Sequence, residues 1–195
     1  MHTESKYLTD PFSQPQSVEE DLLMLREDLA EEWGSVIGYL ECSIQIRDRL
    51  MSDEFLRAAQ DEIDNIIRLT RMLAALDRVQ AEALQKVGLF WLAGFDHQTA
   101  IMPLAPEGHS QAEIENNMRP GKRYYEPDGR TLECLRNAIR DELLAINVYQ
   151  RQARVTANRM VQNTLIIIMN QKKEHVALFT ASLQNLLREY RLLMG

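Results

Sequence analysis

The chain has 195 residues, of which 45% are hydrophobic and 26% are charged, with 29 acidic against 22 basic residues and a net charge of -7. Such a composition predicts a single domain over residues 1–195 that buries a core. It excludes the usual kind of nucleic-acid-binding protein, because phosphate contacts need clustered Lys and Arg. The longest apolar runs, such as Leu165 to Met169, have only five residues, which is too short to cross a membrane, so no membrane partner is expected.

The first residues of the chain lack the basic and then apolar stretch that is typical of a secretory signal. Cys42 and Cys134 are the two cysteines, and they have no CxxC spacing. We therefore expect a cytoplasmic location in which both thiols are reduced.

The first predicted helix lies in a part of the chain that is poor in helix-breaking residues. Residues 16–87 contain two glycines and no proline. Ser17 is a suitable N-cap, with Glu20 three residues further on to complete a capping box. The helix is predicted to run from Ser17 to near Leu50.

A second helix is predicted to begin at Ser52 or Asp53 and to end near Val87. The crossover that follows, residues 88–130, holds five Gly and four Pro, which indicates a long irregular connection. Within it, residues 110–118 (SQAEIENNM) are compatible with a short extra helix.

The third and fourth predicted helices lie in residues 131–194, which contain neither Gly nor Pro. The third runs from the EPDGRT turn to about Asn158, and the fourth from there to Leu193. Two helical hairpins, 17–87 and 131–193, joined by one long crossover predict an all-α, four-helix bundle of the ferritin-like topology.

The two predicted hairpins repeat each other weakly at an offset of 110 residues. Glu32 corresponds to Glu142 and Tyr39 to Tyr149. In both halves the Glu and the Tyr are seven residues apart, so they lie two turns apart on the same inward face of a helix. The two tyrosines are predicted to be core residues with hydrogen-bonded hydroxyls rather than redox groups.

Three inward glutamates need a partner, because a buried carboxylate is costly unless it is paired or binds a metal. A dinuclear carboxylate site in a helical bundle takes a Glu from each of two helices and a Glu-x-x-His pair from each of the other two. The spacing of that frame occurs twice in the chain. The six positions are Glu32, Glu62, Asn65, Glu142, Lys172 and His175.

Four of the six positions keep residues that can bind a metal: Glu32, Glu62, Glu142 and His175. Asn65 stands where the first His belongs, and Lys172 stands where the second bridging Glu belongs. The sequence therefore predicts a dinuclear frame with altered contents.

On these residues, with Tyr39 and Tyr149, the sequence resembles the ferritin-like superfamily and, within it, the rubrerythrin and encapsulated-ferritin branch. The resemblance covers roughly residues 17–87 and 130–192. It implies iron or manganese as cofactor, with one or two ions, and a function in oxidation by a di-metal centre or in iron storage. It also implies a homo-oligomer.

Lys172 leaves three interpretations open. Its ammonium can neutralise the glutamates, which gives a buried ion-pair network without metal. A mononuclear site can remain at Glu62, Glu142 and His175. A dinuclear site can also persist with unusual ligands, namely a displaced Lys172 or a carboxylate from Asp61, Asp64 or Glu174.

Two functions follow from these interpretations. The first is a ferritin-like protein related to iron- or manganese-dependent oxidation or to iron storage, with a degenerate di-metal site. The second is a metal-free structural or interaction protein in which Lys172 replaces the metal charge in the bundle core.

Overall fold

A computed structural model describes residues 17–89, 91–92 and 129–194. In these residues five α-helices follow one another: α1 (Val18–Gln45), α2 (Arg49–Leu76), α3 (Arg78–Lys86), α4 (Gly129–Val155) and α5 (Arg159–Met194). They contain no β-strand, so the predicted all-α class is confirmed. The short helix predicted at 110–118, and most of the crossover, lie outside the described residues.

The four long helices pack in two pairs. Helix α1 packs along α2 and helix α4 along α5, and further contacts join α1 to α4 and α2 to α5. Residues 46–48 connect the first pair and residues 156–158 the second. Buried side chains of all four long helices meet in the interior, where Lys172 contacts Glu32, Glu62 and Glu142.

The start of α1 follows the prediction. Ser17 accepts a hydrogen bond from the backbone N–H of Glu20, and the Glu20 carboxylate accepts one from the backbone N–H of Ser17. This capping box satisfies two of the backbone donors that a helix leaves free at its first turn.

The boundary between α1 and α2 differs from the prediction. Helix α1 ends at Gln45 instead of near Leu50. Asp48 rather than Ser52 or Asp53 caps α2, because its carboxylate accepts a hydrogen bond from the backbone N–H of Met51 at 2.9 Å. The Ser52 hydroxyl instead donates to the Ser43 carbonyl of α1 at 2.8 Å, which fixes the turn between the two helices.

The predicted continuous helix to Val87 is wrong, because the chain breaks at Asp77 into α2 and α3. Asp77 has an extended backbone, and its side chain accepts hydrogen bonds from the backbone N–H groups of Val79 and Gln80. It also pairs with Arg26 of α1 at 2.6 Å. A capping aspartate therefore starts a new helix without any Gly or Pro.

The turn between α4 and α5 is built in a similar way. Helix α4 begins at Gly129 and ends at Val155, three residues before the predicted end at Asn158. The Asn158 side chain accepts hydrogen bonds from the backbone N–H groups of Met160 and Val161. Asn158 is thus the cap of α5 rather than the end of α4.

The apolar core of the described residues is divided into two large clusters and a small third one at Ala74 and Ala81. The first lies around Leu25, Leu69 and Leu165, and the second around Phe55, Leu135 and Phe179. The rings of Phe55 and Phe179 stack with their centroids 4.8 Å apart. Buried polar side chains from all four long helices lie in the same core.

Cys42 of α1 and Cys134 of α4 form a disulfide, with their Cα atoms 5.9 Å apart. The prediction that both thiols are reduced is therefore wrong. The two residues are 92 positions apart in sequence, and only the packing of α1 against α4 brings them together. Disulfides are uncommon in a reducing cytoplasm, so the cytoplasmic location stays a prediction from sequence.

Among the described helices, none combines the length and the hydropathy that a bilayer-spanning segment needs.

Candidate metal centre

The structure brings together all six positions of the predicted frame. Each of these residues is at most 3% exposed. Helix α1 provides one of them, α2 two, α4 one and α5 two. The six are Glu32, Glu62, Asn65, Glu142, Lys172 and His175.

Lys172 lies among the three glutamates. Its Nζ donates to Glu62 Oε2 at 2.7 Å and to Glu32 Oε2 at 3.0 Å, and it lies 3.6 Å from Glu142 Oε2. Burial by itself would lower the pKa of Lys172, but the negative charges of the three glutamates outweigh burial and raise it. Lys172 is therefore a permanent cation in the core.

His175 faces carboxylates at both ring nitrogens. Its Nδ1 lies 2.8 Å from Glu142 Oε1 and 3.2 Å from Glu62 Oε1, and its Nε2 lies 3.1 Å from Asp61 Oδ2. A neutral imidazole has one N–H and so can donate to only one of these sides. The geometry therefore requires either a second proton, on the ring or on a facing carboxyl group, or a metal ion at one ring nitrogen.

In the absence of a metal ion, the imidazole of His175 holds its second proton firmly. Burial would lower the pKa of His175, but hydrogen bonds to Asp61, Glu142 and Glu62 outweigh burial and raise it to about 11. The imidazole is then a second cation of the core at neutral pH.

The pKa values of Glu32 and Glu62 are shifted in opposite directions. Burial raises the pKa of Glu32 to about 9, and its hydrogen bond with Glu62 adds to the increase. Burial acts in the same direction on Glu62, but hydrogen bonds with Glu32 and His175 and the charge of Lys172 bring its pKa below the usual range. With the proton on Glu32, two cations face the two remaining carboxylates.

Two tyrosines hold the glutamates from the opposite hairpin. The Tyr39 hydroxyl of α1 donates to Glu142 of α4, and the Tyr149 hydroxyl of α4 donates to Glu32 of α1. Burial and the neighbouring carboxylates raise the pKa of both tyrosines, so they stay protonated donors. This agrees with their predicted place as hydrogen-bonded core residues.

Asn65 stands at the histidine position of the frame, but it hydrogen-bonds to Glu62 and is not a metal ligand. Its Nδ2 donates to Glu62 Oε2 at 3.1 Å. Among the described residues its Oδ1 has no hydrogen-bond partner. Asn65 thus orients Glu62 from the same helix.

Glu62, Glu142 and His175 form a group that can hold a metal ion, since one ligand atom of each lies within 4.8 Å of the others. One nitrogen and two carboxylates are a suitable donor set for a transition metal. Within the described part of the chain, Glu62 Oε1 and Glu142 Oε2 are buried and accept no hydrogen bond, although His175 Nδ1 lies 3.2 Å from the first and Lys172 Nζ 3.6 Å from the second. Buried acceptors left without a donor are what a cation would satisfy, so the residues fit the group.

The three carboxylates predicted as substitute ligands do not join this group. Asp61 contacts His175 at Nε2, the ring nitrogen on the side away from Glu62 and Glu142. Asp64 is half-buried next to Arg68, and Glu174 is exposed. The role of Asp61 was not predictable from helical spacing, because Asp61 directly precedes Glu62 and lies off the inward stripe.

Models of known protein families, curated proteins and solved structures were compared with the chain, and none of them matches it.

Proposed function

We propose that the protein is a ferritin-like four-helix bundle, formed by α1, α2, α4 and α5, that binds one divalent transition-metal ion. The ligands are Glu62, Glu142 and His175, and Lys172 replaces the second ion of a dinuclear site. The resemblance of the sequence to ferritin-like proteins favours iron or manganese and a function in metal storage or metal-dependent oxidation.

The observation that carries the proposal is the surroundings of His175. Asp61 is suited to accept the Nε2 proton, which leaves the Nδ1 lone pair directed at carboxylate oxygens of Glu142 and Glu62, 2.8 and 3.2 Å away. A lone pair that faces two carboxylates is repelled unless a cation lies between them. A metal ion bound by all three groups removes that repulsion.

The residues around these ligands have the features of a supporting shell. Metal-binding histidines usually donate their other N–H to a carboxylate, which fixes the ring and its tautomer. Asp61 provides that carboxylate. Tyr39 donates to Glu142 and Asn65 donates to Glu62, so each glutamate is oriented by a neighbour. A bound iron or manganese ion would supply redox and Lewis-acid chemistry at this point.

Lys172 limits the site to one ion. Its ammonium already uses Glu32 Oε2 and Glu62 Oε2 as hydrogen-bond acceptors, and its charge repels a second cation at that position. Chemistry that needs two ions is therefore disfavoured, and binding of a single ion is the expected activity.

A second candidate function is a metal-free structural protein. It is favoured by the balance of buried charge, since protonated Lys172 and His175 face the carboxylates of Glu62 and Glu142 while Glu32 holds a proton. In that state Glu32, Glu62, Glu142, Lys172 and His175 together carry no net charge without any ion, and His175 is an ion-pair partner rather than a ligand.

Metal content separates the two functions. Protein purified without chelator is analysed by elemental mass spectrometry, before and after anaerobic incubation with ferrous iron, manganese or zinc. We expect one ion per chain, its loss in His175→Ala, and its retention in Glu174→Ala, which removes the exposed carboxylate next to His175 in sequence. No ion in the folded protein would favour the metal-free function, and two ions would contradict the role of Lys172.

The protons released on metal binding give a second measure of binding at His175. An ion at Nδ1 replaces the proton that His175 holds there, so binding near neutral pH should release about one proton per ion. Calorimetric titration in buffers of different ionisation enthalpy measures this number. Binding without proton release would place the ion away from His175.

A further inference from the structure

Helix α1 has a seam of largely apolar residues on its outer surface, on the side away from the buried glutamates. Its positions recur at alternating steps of three and four residues over about 32 Å of helix, which is the spacing of a coiled-coil seam. The five large apolar side chains among them are between 40% and 84% exposed. The seven positions of this seam are Leu23, Arg26, Ala30, Trp33, Ile37, Leu40 and Ile44.

The fold itself does not need the seam. Helix α4 packs in the second hairpin as α1 does in the first, and the offset of 110 residues aligns the two helices. Six of the seven matching positions in α4 are polar, and only the position of Trp33 stays apolar. They are Glu133, Arg136, Arg140, Leu143, Asn147, Gln150 and Arg154. A large exposed apolar stripe without a role in the fold is typical of an interaction surface.

The charges beside the seam are acidic. Glu27, Glu31 and Glu41 lie along one flank of it and are exposed. The cation within the seam, Arg26, is held by Asp77 at the start of α3, 2.6 Å away. In a coiled coil the charges that flank the seam select the partner helix. The flank of α1 therefore selects a partner that carries Lys or Arg.

Two glycines interrupt the acidic flank. Gly34 and Gly38 lie between its glutamates, whereas α4 has Leu144 and Val148 at the matching positions. An added Cβ at either glycine would meet no described atom within 4 Å, and neither glycine has a positive φ. Glycine inside a helix destabilises it relative to alanine, so contacts within the described chain do not explain the two residues. They do allow another chain to approach the backbone of α1 closely.

A second copy of α1 does not match this chemistry. In an antiparallel pair of identical helices, the flank of one copy faces the same flank of the other. Glutamates would then meet glutamates or glycines, while Arg26 is already paired with Asp77. The same acidic charges disfavour an anionic membrane surface.

We propose that the outer face of α1 binds an amphipathic helix of another protein, with an apolar stripe about three heptads long and Lys or Arg along its flank. The partner helix lies along α1 from Leu23 to Ile44, with its apolar residues against Trp33 and its cations beside Glu27 and Glu41. This mode of recognition uses apolar anchors one helical turn apart for affinity and flanking charges for specificity. The surface lies on the outside of the bundle, so its function is separate from that of the metal centre.

Three synthetic peptides of about three heptads each test the proposal. The basic peptide has Leu at the seam positions and Lys on the flanks, and the acidic peptide has Glu in place of Lys. The scrambled peptide has the composition of the basic one without the heptad order. Calorimetric titration into the full chain at about 0.15 M salt should show one basic peptide bound per chain, and binding of the other two weaker by about 10-fold or more. A scrambled or acidic peptide that binds as tightly as the basic one would overturn the proposal.

Substitution in the seam locates the site. Ile37→Lys should weaken binding of the basic peptide by about 10-fold or more, because a positive charge enters the apolar centre of the interface. Asn147→Lys adds the same charge at the matching position of α4 and should leave the affinity unchanged. Undiminished binding to Ile37→Lys would place the peptide elsewhere on the protein.

Charge reversal gives a gain of binding that an unfolded variant cannot show. In Glu27→Lys with Glu41→Lys the flank becomes basic, so the acidic peptide should now bind more tightly than the basic one. A double variant that still prefers the basic peptide would contradict the pairing of these glutamates with the partner.

Two further measurements test other occupants of the seam. Sedimentation of the chain alone should give the same oligomeric state for the wild type and for Ile37→Lys, and a dimer that only this variant loses would assign the seam to a second copy. Flotation with vesicles of phosphatidylcholine and phosphatidylserine should leave the wild-type chain unbound. Vesicle binding that Ile37→Lys abolishes would assign the seam to a membrane surface, and either result would overturn the proposal.

Discussion

The two hairpins present the same frame of positions to the core but fill it differently. Glu32 and Tyr39 of α1 correspond to Glu142 and Tyr149 of α4, 110 residues later. Glu62 and Asn65 of α2 correspond instead to Lys172 and His175 of α5. The first hairpin thus contributes two carboxylates and an amide, while the second contributes one carboxylate and both basic groups.

This difference separates two ways to neutralise buried carboxylates. At Glu32 and Glu62 the neutralising cation is the Lys172 ammonium, which is part of the chain and cannot leave. Between His175 and Glu142 the neutralising cation is either a proton on the imidazole or a metal ion, and one can be exchanged for the other. A symmetric frame thereby gives one permanent charge and one exchangeable charge, and the predictions below test each in turn.

Restoring the symmetry should have the largest effect. Lys172→Glu combined with Asn65→His creates a Glu-x-x-His pair in both hairpins and replaces the core cation by a fourth carboxylate. Without metal, the free energy of unfolding at neutral pH should fall by about 5 kcal/mol. With iron or manganese, two ions should bind per chain and stability should return. Urea unfolding with and without metal measures both.

The exposed neighbour provides the control for that variant. Lys173→Glu should change the free energy of unfolding by less than about 0.5 kcal/mol, because Lys173 is exposed. A double variant as stable as the wild type without metal would show that Lys172 does not neutralise the glutamates.

Removing the covalent link between the hairpins should have a slightly smaller effect. Cys42→Ser with Cys134→Ser opens a disulfide between residues 92 positions apart, which should lower the free energy of unfolding by about 4–5 kcal/mol through the entropy of the unfolded chain. The wild-type protein under reducing conditions should lose the same amount. If the reductant has no effect, the two thiols are not linked in solution.

The exchangeable proton on His175 predicts that the free energy of unfolding depends on pH. The pKa of His175 is raised from its ordinary value of 6.5 to about 11, so its contribution to stability is complete below pH 6.5 and is lost as pH rises towards 11. In metal-free protein the free energy of unfolding should fall by about 1.4 kcal/mol per pH unit from this group, or about 3 kcal/mol over two units. His175→Gln should remove that part of the slope. Equal slopes in both proteins would mean that His175 is not protonated in the fold.

The two tyrosines should show the smallest and most selective effects. Tyr39→Phe and Tyr149→Phe each remove a hydrogen bond to a buried glutamate and should cost about 1.5–3 kcal/mol. Only Tyr39→Phe should also weaken metal binding, by about 10-fold or more, because Tyr39 holds the ligand Glu142. Calorimetric titration of both variants compares them directly, and equal losses of affinity would contradict the assignment of ligands.

The polar residues of the core were predictable because they lie on helical stripes. A period near 3.6 places Glu32, Glu142 and His175 on the inward faces, and the repeated spacing adds the other positions. Such a pattern also predicts the all-α class, since Pro is confined to the crossover and the N-terminal residues and only Gly34 and Gly38 lie inside a predicted helix.

Features that depend on a single capping side chain or on packing were not predictable in this way. Asp48 and Asp77 start helices without any glycine or proline nearby, and aspartate is also common inside exposed helical faces. The disulfide between Cys42 and Cys134 depends on which helices become neighbours. The contact of Asp61 with His175 depends on the angle between α2 and α5, which sequence spacing does not encode.

The hydrogen bonds from Tyr39 to Glu142 and from Tyr149 to Glu32 run between the hairpins in both directions. The first half of the chain therefore lacks the two groups that donate to Glu32, the Tyr149 hydroxyl and the Lys172 ammonium, however well its two helices pair. During synthesis residues 17–87 emerge first, and Glu32 must stay hydrated until Tyr149 arrives. Formation of the core is then one late event for both halves, and a ribosome stalled before α4 would leave an open hairpin with water on its inner face.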